Sequence, residues 1–269
     1  MRDLNKKIIL LSVLIAVFFL SGCATVYNPA TGKKEYVMIG TEEEISIGNQ
    51  VAKEVESKYK LSDDDAQNRR VQRIGGKIAV VSDRKDLRYY FKVIQDNEVN
   101  ALSTPGGYVY VNTGLLDKAD DDELAAVIAH EVGHIAARHA VQSIQANMTA
   151  SLVSGLVFSK VKTSDEIKQS AAIALNLAML GYSRDDEFEA DKLGVKYSYY
   201  AGFRSDGMVT FLEKLQLENK QNPFDKALVY LRSHPLYSDR IARARSYAAY
   251  LEYSAINPSS QDPASVGRK

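Results

Sequence analysis

Cysteine occurs once in the 269 residues, which excludes an internal disulfide framework. Charge of one sign is equally lacking: lysine and arginine together number 34, and aspartate and glutamate 34. That balance removes the polycationic signature of a nucleic-acid binder, and there is no acidic tail. Low-complexity tracts and repeats at the period of a helical array are absent too, so a solenoid is excluded. The apolar runs 8–20, 146–158 and 171–180 all fall short of the roughly 20 residues that a bilayer span needs. What is present is 45% hydrophobic content over this length, enough to bury a substantial core in one domain.

The first residues stand outside that domain. Arg2, Lys6 and Lys7 form a positive n-region, residues 8–20 an apolar h-region, and Ser21-Gly22 a small-residue segment, the proportions of a secretory signal over 1–22. Leu20-Ser21-Gly22-Cys23 resembles a bacterial lipobox, which makes Cys23 the expected lipidation site and the chain anchored to a membrane rather than spanning it. Ala24, not aspartate, comes next. In lipoproteins of Gram-negative bacteria that pattern resembles sorting to the outer membrane, with the domain facing the periplasm.

Residues 23–40 then read as a lipid-anchored tether with turn chemistry, 41–254 as the folded domain, and 255–269 as a Pro/Ser-rich disordered tail. Thr41 to Tyr59 reads as an amphipathic helix opened by a Thr41–Glu44 capping box. Asp63 to Val81 is a second helix. Leu87 to Ile94 and Tyr108 to Asn112 are strand-like, with Pro105-Gly106-Gly107 as the turn before the latter. Beyond Asp121 the chain is helical: 121–158 as one helix or two joined, then 165–180, 184–200, 206–218, 224–232 and 238–253. The apolar stretches 146–158 and 171–180 read as buried core helices or as a surface resting on the membrane. The fold class is therefore mainly α with a small β-sheet.

Within the first of these helices stands His130-Glu131-Val132-Gly133-His134. On a helix the two histidines are one turn apart on one face and can hold one Zn²⁺ at about 2.0–2.1 Å. Glu131 is placed to take a proton from a water polarised by the metal and pass it to a leaving amine. A catalytic zinc needs a third protein ligand. The extended metzincin pattern would need glycine at 137 and histidine at 140, where the chain has Ala137 and Ala140. His139 misses that register, lies well round the helix, and reads as a structural or surface histidine. No carboxylate stands in 151–156, where a thermolysin-type ligand would fall, and the only cysteine is Cys23. The remaining candidates are Glu187 and Asp191, at i and i+4. One can bind zinc while the other bonds the outer nitrogen of a ligand histidine.

HEVGH running into Ala137-Arg138-His139, followed by SRDDEFEAD at 183–191, resembles the M48 family of zinc metallopeptidases. That family includes membrane-bound HtpX-like and CAAX-prenyl types and soluble periplasmic relatives. The likeness extends upstream to the segment NALSTPGGYVYVN at 100–112. It implies a zincin-like domain with the HExxH motif on a central helix, one zinc ligated by His130, His134 and Glu187, Glu131 as general base, and Asp191 supporting the site. It also implies a cleft lined by Asn100, Gly106 and Gly107. Parts of the family carry transmembrane helices or a long tetratricopeptide extension; the sequence shows neither, so a short lipid-anchored type is expected. His234, the last of four histidines, lies in a loop before the final helix and is expected to approach the zinc, either as a regulatory fourth ligand or as an oxyanion donor. Tyr182, Arg184 and Arg240 are weaker donor candidates. The strand at 108–112, with Tyr108 and Tyr110, is expected to offer an exposed edge to an extended peptide. The expected activity is endoproteolysis of unfolded or misfolded envelope proteins. A lipoprotein chaperone that keeps the zinc fold but cleaves little is the alternative.

Overall fold

The computed structural model describes residues 25–153, 163–222, 229–236 and 238–257. The expected signal segment, Cys23, and residues 154–162, 223–228 and 258–269 lie outside the described residues.

The segment expected to be a tether forms a hairpin instead. Strand β1 (Thr25–Asn28) pairs antiparallel with β2 (Lys33–Tyr36). The turn between them is closed by the Asn28 side chain, which accepts from the Ala30 amide at 2.9 Å, with Gly32 at φ +66°. Helix α1 (Thr41–Lys58) is next. Its N-cap is Gly40, whose amide donates to Glu43 at 3.1 Å, so the expected Thr41–Glu44 box does not form. Thr41 donates to Asp86, and Glu44 is buried between Arg84 and Arg138. Tertiary ion pairing outweighs the local cap.

Helix α2 (Asp65–Val81) is capped by Asp64, which accepts from Ala66 and Gln67. Three short strands form the second sheet: β3 (Tyr90–Ile94), β4 (Ala101–Thr104) and β5 (Tyr108–Asn112), in the order β3-β5-β4. β3 runs parallel to β5 and β4 antiparallel to it. β5 is thus the central strand, paired on both sides, which corrects the expectation of an open edge there. Tyr110 is fully buried with its hydroxyl on Glu56, and Tyr108 donates to Asn49 on α1.

After the short helix α3 (Thr113–Lys118) comes α4 (Asp121–Ala136). A capping box of Asp120 and Glu123 opens it. Every residue from Glu123 to Ala136 is buried, so it runs through the centre of the molecule. The core around it joins α2, the sheet, α7 (Arg184–Tyr200), α8 (Gly207–Gln221), α9 (Tyr230–Ser233) and α10 (Arg240–Ile256). A second cluster gathers α1 with α5 (His139–Val153) and α6 (Ser164–Leu180), including Ala171, Ala174 and Ala178. That makes the 171–180 stretch a packed helix. None of the described helices is long and apolar enough to cross a membrane.

The main partner of α4 is α7, and glycines let the two helices approach. A Cβ on Gly133 would sit 3.0 Å from the Ala190 carbonyl, and one on Gly194 would sit 3.0 Å from the His130 nitrogen. Side chains at these places would push the two helices apart. At its C-terminal end α4 breaks in a kink at Arg138, which has φ +60° without being glycine. The Arg138 guanidinium bonds Glu44 and the Ile39 carbonyl, which hold it there.

Candidate metal centre

Four side chains converge where α4, α7 and the loop after α9 meet. His130, His134, Glu187 and His234 each offer one ligand atom, all within 4.8 Å of one another. His130 Nε2 lies 3.0 Å from His134 Nε2 and 3.2 Å from His234 Nδ1. Glu187 stands 3.0 Å from His234 Nδ1, 3.5 Å from His134 Nε2 and 3.6 Å from His130 Nε2. A zinc with donors at about 2.0–2.1 Å would have tetrahedral edges of about 3.3–3.4 Å. The spacings bracket that value. All four residues are buried, none more than 2% exposed.

The electrostatics favour a cation at the centre. His134 is pushed down to about 3, by burial first and by His130 and His139 next, against the pull of Glu187, so its ring is neutral. A neutral imidazole is the form that binds metal. Burial works to raise Glu187, but His234, His134 and His130 hold it well below the usual carboxylate range. The donor set of three imidazoles and one carboxylate, with its spacing and burial, fits one zinc ion per chain.

Each donor is braced from outside. His130 Nδ1 lies 3.0 Å from Asp191 Oδ1. Asp191 in turn takes two 2.8 Å bonds from Arg240 Nε and Nη2. Burial alone would raise Asp191, but Arg240 and His130 bring it down. Arg240, fully buried, also reaches Glu187 at 3.0 Å and donates to the carbonyls of His234 and Pro235 at 3.0 and 3.1 Å. It ties the acidic helix to the His234 loop and is wholly engaged there. Arg184 pairs with Asp239 at the surface, and Tyr182 stacks on His134 at 4.2 Å.

His139 is the residue that periodicity misplaces. An unbroken helix would carry it away from the site, but the kink at Arg138 sets His139 Nδ1 2.8 Å from His134 Nδ1. Its other nitrogen faces Glu189 at 3.3 Å.

Glu131 lies beside the cluster. Its Oε2 accepts from Ser103 on β4 at 2.7 Å, and its Oε1 lies 3.2 Å from His234 Nε2. Burial pushes this carboxyl up, but His234, His130 and His134 outweigh it and bring it to about 2. His234 bridges the two carboxylates. Burial opposes its charge, yet without a metal Glu187 and Glu131 raise it to about 10, so a cation held by its Nδ1 would displace that proton. It stacks on Tyr230 at 4.5 Å, and its backbone amide bonds the Tyr230 carbonyl at 2.8 Å.

The expected cleft residues are placed differently from one another. Asn100 is buried at the start of β4, next to Val99, whose carbonyl accepts from the Tyr230 amide. Gly106 and Gly107 face the α1 backbone and the Arg88 carbonyl, so they serve as the tight turn between β4 and β5. No spacing in the sequence points to Ser103, which reaches Glu131 only because the four residues of β4 pair with β5.

Comparison with known proteins agrees with this geometry. The model of "Peptidase family M48" matches residues 65–248. The mitochondrial metalloendopeptidase OMA1 of Schizosaccharomyces pombe is 30% identical over 226 residues, covering 82% of this chain and 66% of that one. A beta-barrel assembly-enhancing protease of Escherichia coli K12 is 25% identical over 254 residues, 91% of this chain and 51% of its own. Metalloprotease YcaL of the same strain is 28% identical over 211 residues, 77% and 76% of the two chains. The chain thus spans half to two thirds of the length of the first two relatives. With the family model covering the sheet, α4, α7 and the His234 loop, the chain belongs to peptidase family M48 and is a zinc metallopeptidase.

Proposed function

We propose that this chain is a lipid-anchored endopeptidase of the cell envelope that cleaves unfolded polypeptides and is held closed by His234. The observation that carries this reading is the placement of Glu131, fixed by Ser103 on one oxygen and faced by His234 on the other. His130, His134 and Glu187 would hold the zinc, which when bound supplies Lewis acidity toward water and the scissile carbonyl. Glu131, ionised in this setting, accepts the proton and returns it to the leaving amine. Asp191 and His139 keep the two ligand rings turned inward. With its Nδ1 among the other three donors, His234 would take the position at the metal that water and substrate need, which supports the regulatory fourth ligand over the oxyanion donor.

Substrate recognition belongs to β4, not β5. Among the described residues β4 is paired on one side only, and it delivers Ser103 to Glu131, so a peptide laid along its other side would pass the base. In the closed form α6 packs along β4, and Gly181 packs against the Ser233 carbonyl. Opening therefore requires that the α6–α7 connection and the His234 loop part. Main-chain recognition needs unfolded substrate and little sequence. The relatives named beta-barrel assembly-enhancing proteases support β-barrel proteins as the substrate class. Anchoring through Cys23, with Ala24 after it, would put the 41–254 domain on the periplasmic side of the outer membrane.

A second reading is an assembly factor that cleaves little, and the closed corner at His234 favours it. The test is digestion of an unfolded model protein by the wild type, Glu131→Gln and His234→Ala, with zinc assayed in each. Cleavage that needs Glu131 and rises in His234→Ala supports the gated peptidase. Zinc in all three with no cleavage supports the assembly factor.

A further inference from the structure

The β1–β2 hairpin has one face seated on the domain and one turned away. On the seated face, Asn28 donates to the Ala136 carbonyl at 3.1 Å and Lys33 pairs with Glu189 at 2.8 Å. The register places Thr25 opposite Tyr36 and Tyr27 opposite Lys34. Those four share the other face, because alternate residues of a strand point the same way. All four are exposed, Tyr27 to 61% and Tyr36 to 69%. Met38, 41% exposed, continues the chain past Tyr36. Two tyrosines flanking a lysine carry the amphipathic rings and positive charge found at the headgroup level of a membrane.

Position in the chain selects the occupant. Thr25 is two residues from Cys23, so it lies within about 7 Å of it at full extension. A diacylglyceryl group on Cys23 would hold that cysteine at the boundary of headgroups and acyl chains. The headgroup layer is itself about 5–7 Å deep. The Thr25–Tyr36 end of the hairpin, the pair nearest the anchor, cannot then stand clear of the bilayer.

We propose that the outward face of the hairpin, with Tyr36, Tyr27 and Lys34, docks into the headgroup layer of an anionic phospholipid bilayer and fixes how the catalytic domain stands on the membrane. The proposal rests on the lipid-anchor reading of Cys23. Because the seated face grips the end of α4 and Glu189 on α7, the docked hairpin would carry the metal centre at a set orientation rather than on a loose tether.

The chain has no tryptophan, so one introduced indole reports alone. Tyr36→Trp, Tyr27→Trp and Tyr200→Trp are made in the full-length chain, processed by the host and reconstituted into phosphatidylethanolamine/phosphatidylglycerol vesicles. Tyr200 is 58% exposed and stands about 16 Å along α7 from Glu189. Lipids with brominated acyl chains should quench Tyr36→Trp about threefold more than Tyr200→Trp, with Tyr27→Trp between them. Equal quenching at 36 and 200 in vesicle-bound chain that carries the lipid mass overturns the docking alone. A blue-shifted indole at 36 without bromolipid quenching puts that face against protein, such as a second copy, and also overturns it. A mature chain without the lipid mass overturns the anchor reading and the docking with it.

Discussion

Replacing Arg240 with methionine keeps most of the aliphatic stem and removes the charge. In the folded chain this guanidinium is fully buried, takes both oxygens of Asp191 at 2.8 Å, and reaches Glu187 at 3.0 Å. Without it two buried carboxylates lose their arginine, and the His234 and Pro235 carbonyls lose a donor. Breaking a buried pair by removing one partner costs about 3–5 kcal/mol. Urea unfolding of the metal-free chain should show a loss of that size at pH 7. Saturating zinc should narrow the deficit, since a cation at the centre neutralises Glu187, but not close it, since Asp191 is outside the donor set. In an Asp191→Asn background the same substitution should cost less, with a coupling of at least about 1.5 kcal/mol. A loss below about 1 kcal/mol, or no coupling to Asp191, would refute the reasoning that Arg240 holds the acidic helix and the His234 loop together.

Gly194→Val forces a side chain against the His130 backbone, 3.0 Å from where its Cβ must sit, so it should cost about 1–3 kcal/mol. It should also lower zinc retention in dialysis against chelator, because Glu187 rides on the displaced helix. Gly76→Ala, on α2 with no atom within 4 Å of the new Cβ, should instead stabilise by about 0.5–1 kcal/mol in the same urea assay. The pH dependence of the metal-free chain reads His234. Its folded value is raised from 6.5 to about 10, so its contribution is complete below 6.5 and is lost as pH climbs through 10. Between pH 7 and 9 the folded state keeps a proton that the unfolded state has released, and stability should fall by about 2–3 kcal/mol. His234→Gln should flatten that slope, and an unchanged slope would remove His234 as its source.

The legible parts of this chain are those where local spacing and tertiary geometry coincide. HEVGH needs only a helix to present two histidines together. Glu187 and Asp191 need only the helix 184–200, which the structure shows capped by Ser183 and followed by Gly202. The strand 108–112 is legible in its bounds, but not in its place in the sheet. Its neighbour Ala101–Thr104 is four residues with no alternation between buried and exposed positions, all four being buried, so periodicity has nothing to detect. With β4 invisible to periodicity, β5 looks like an edge. His139 escapes for a different reason: a non-glycine residue at positive φ breaks the helix, and only the tertiary bonds of Arg138 to Glu44 and Ile39 hold it there. Glu44 itself reads as a cap because the two arginines that bury it are 40 and 94 residues away in sequence.

X-ray absorption at the zinc edge of the loaded wild-type chain and of His234→Ala decides whether His234 closes the metal centre. Three imidazole nitrogens and a carboxylate oxygen are expected around zinc in the wild type, and two imidazoles with oxygen donors in the variant. Two imidazoles in both proteins would contradict this, and would put His234 outside the metal centre.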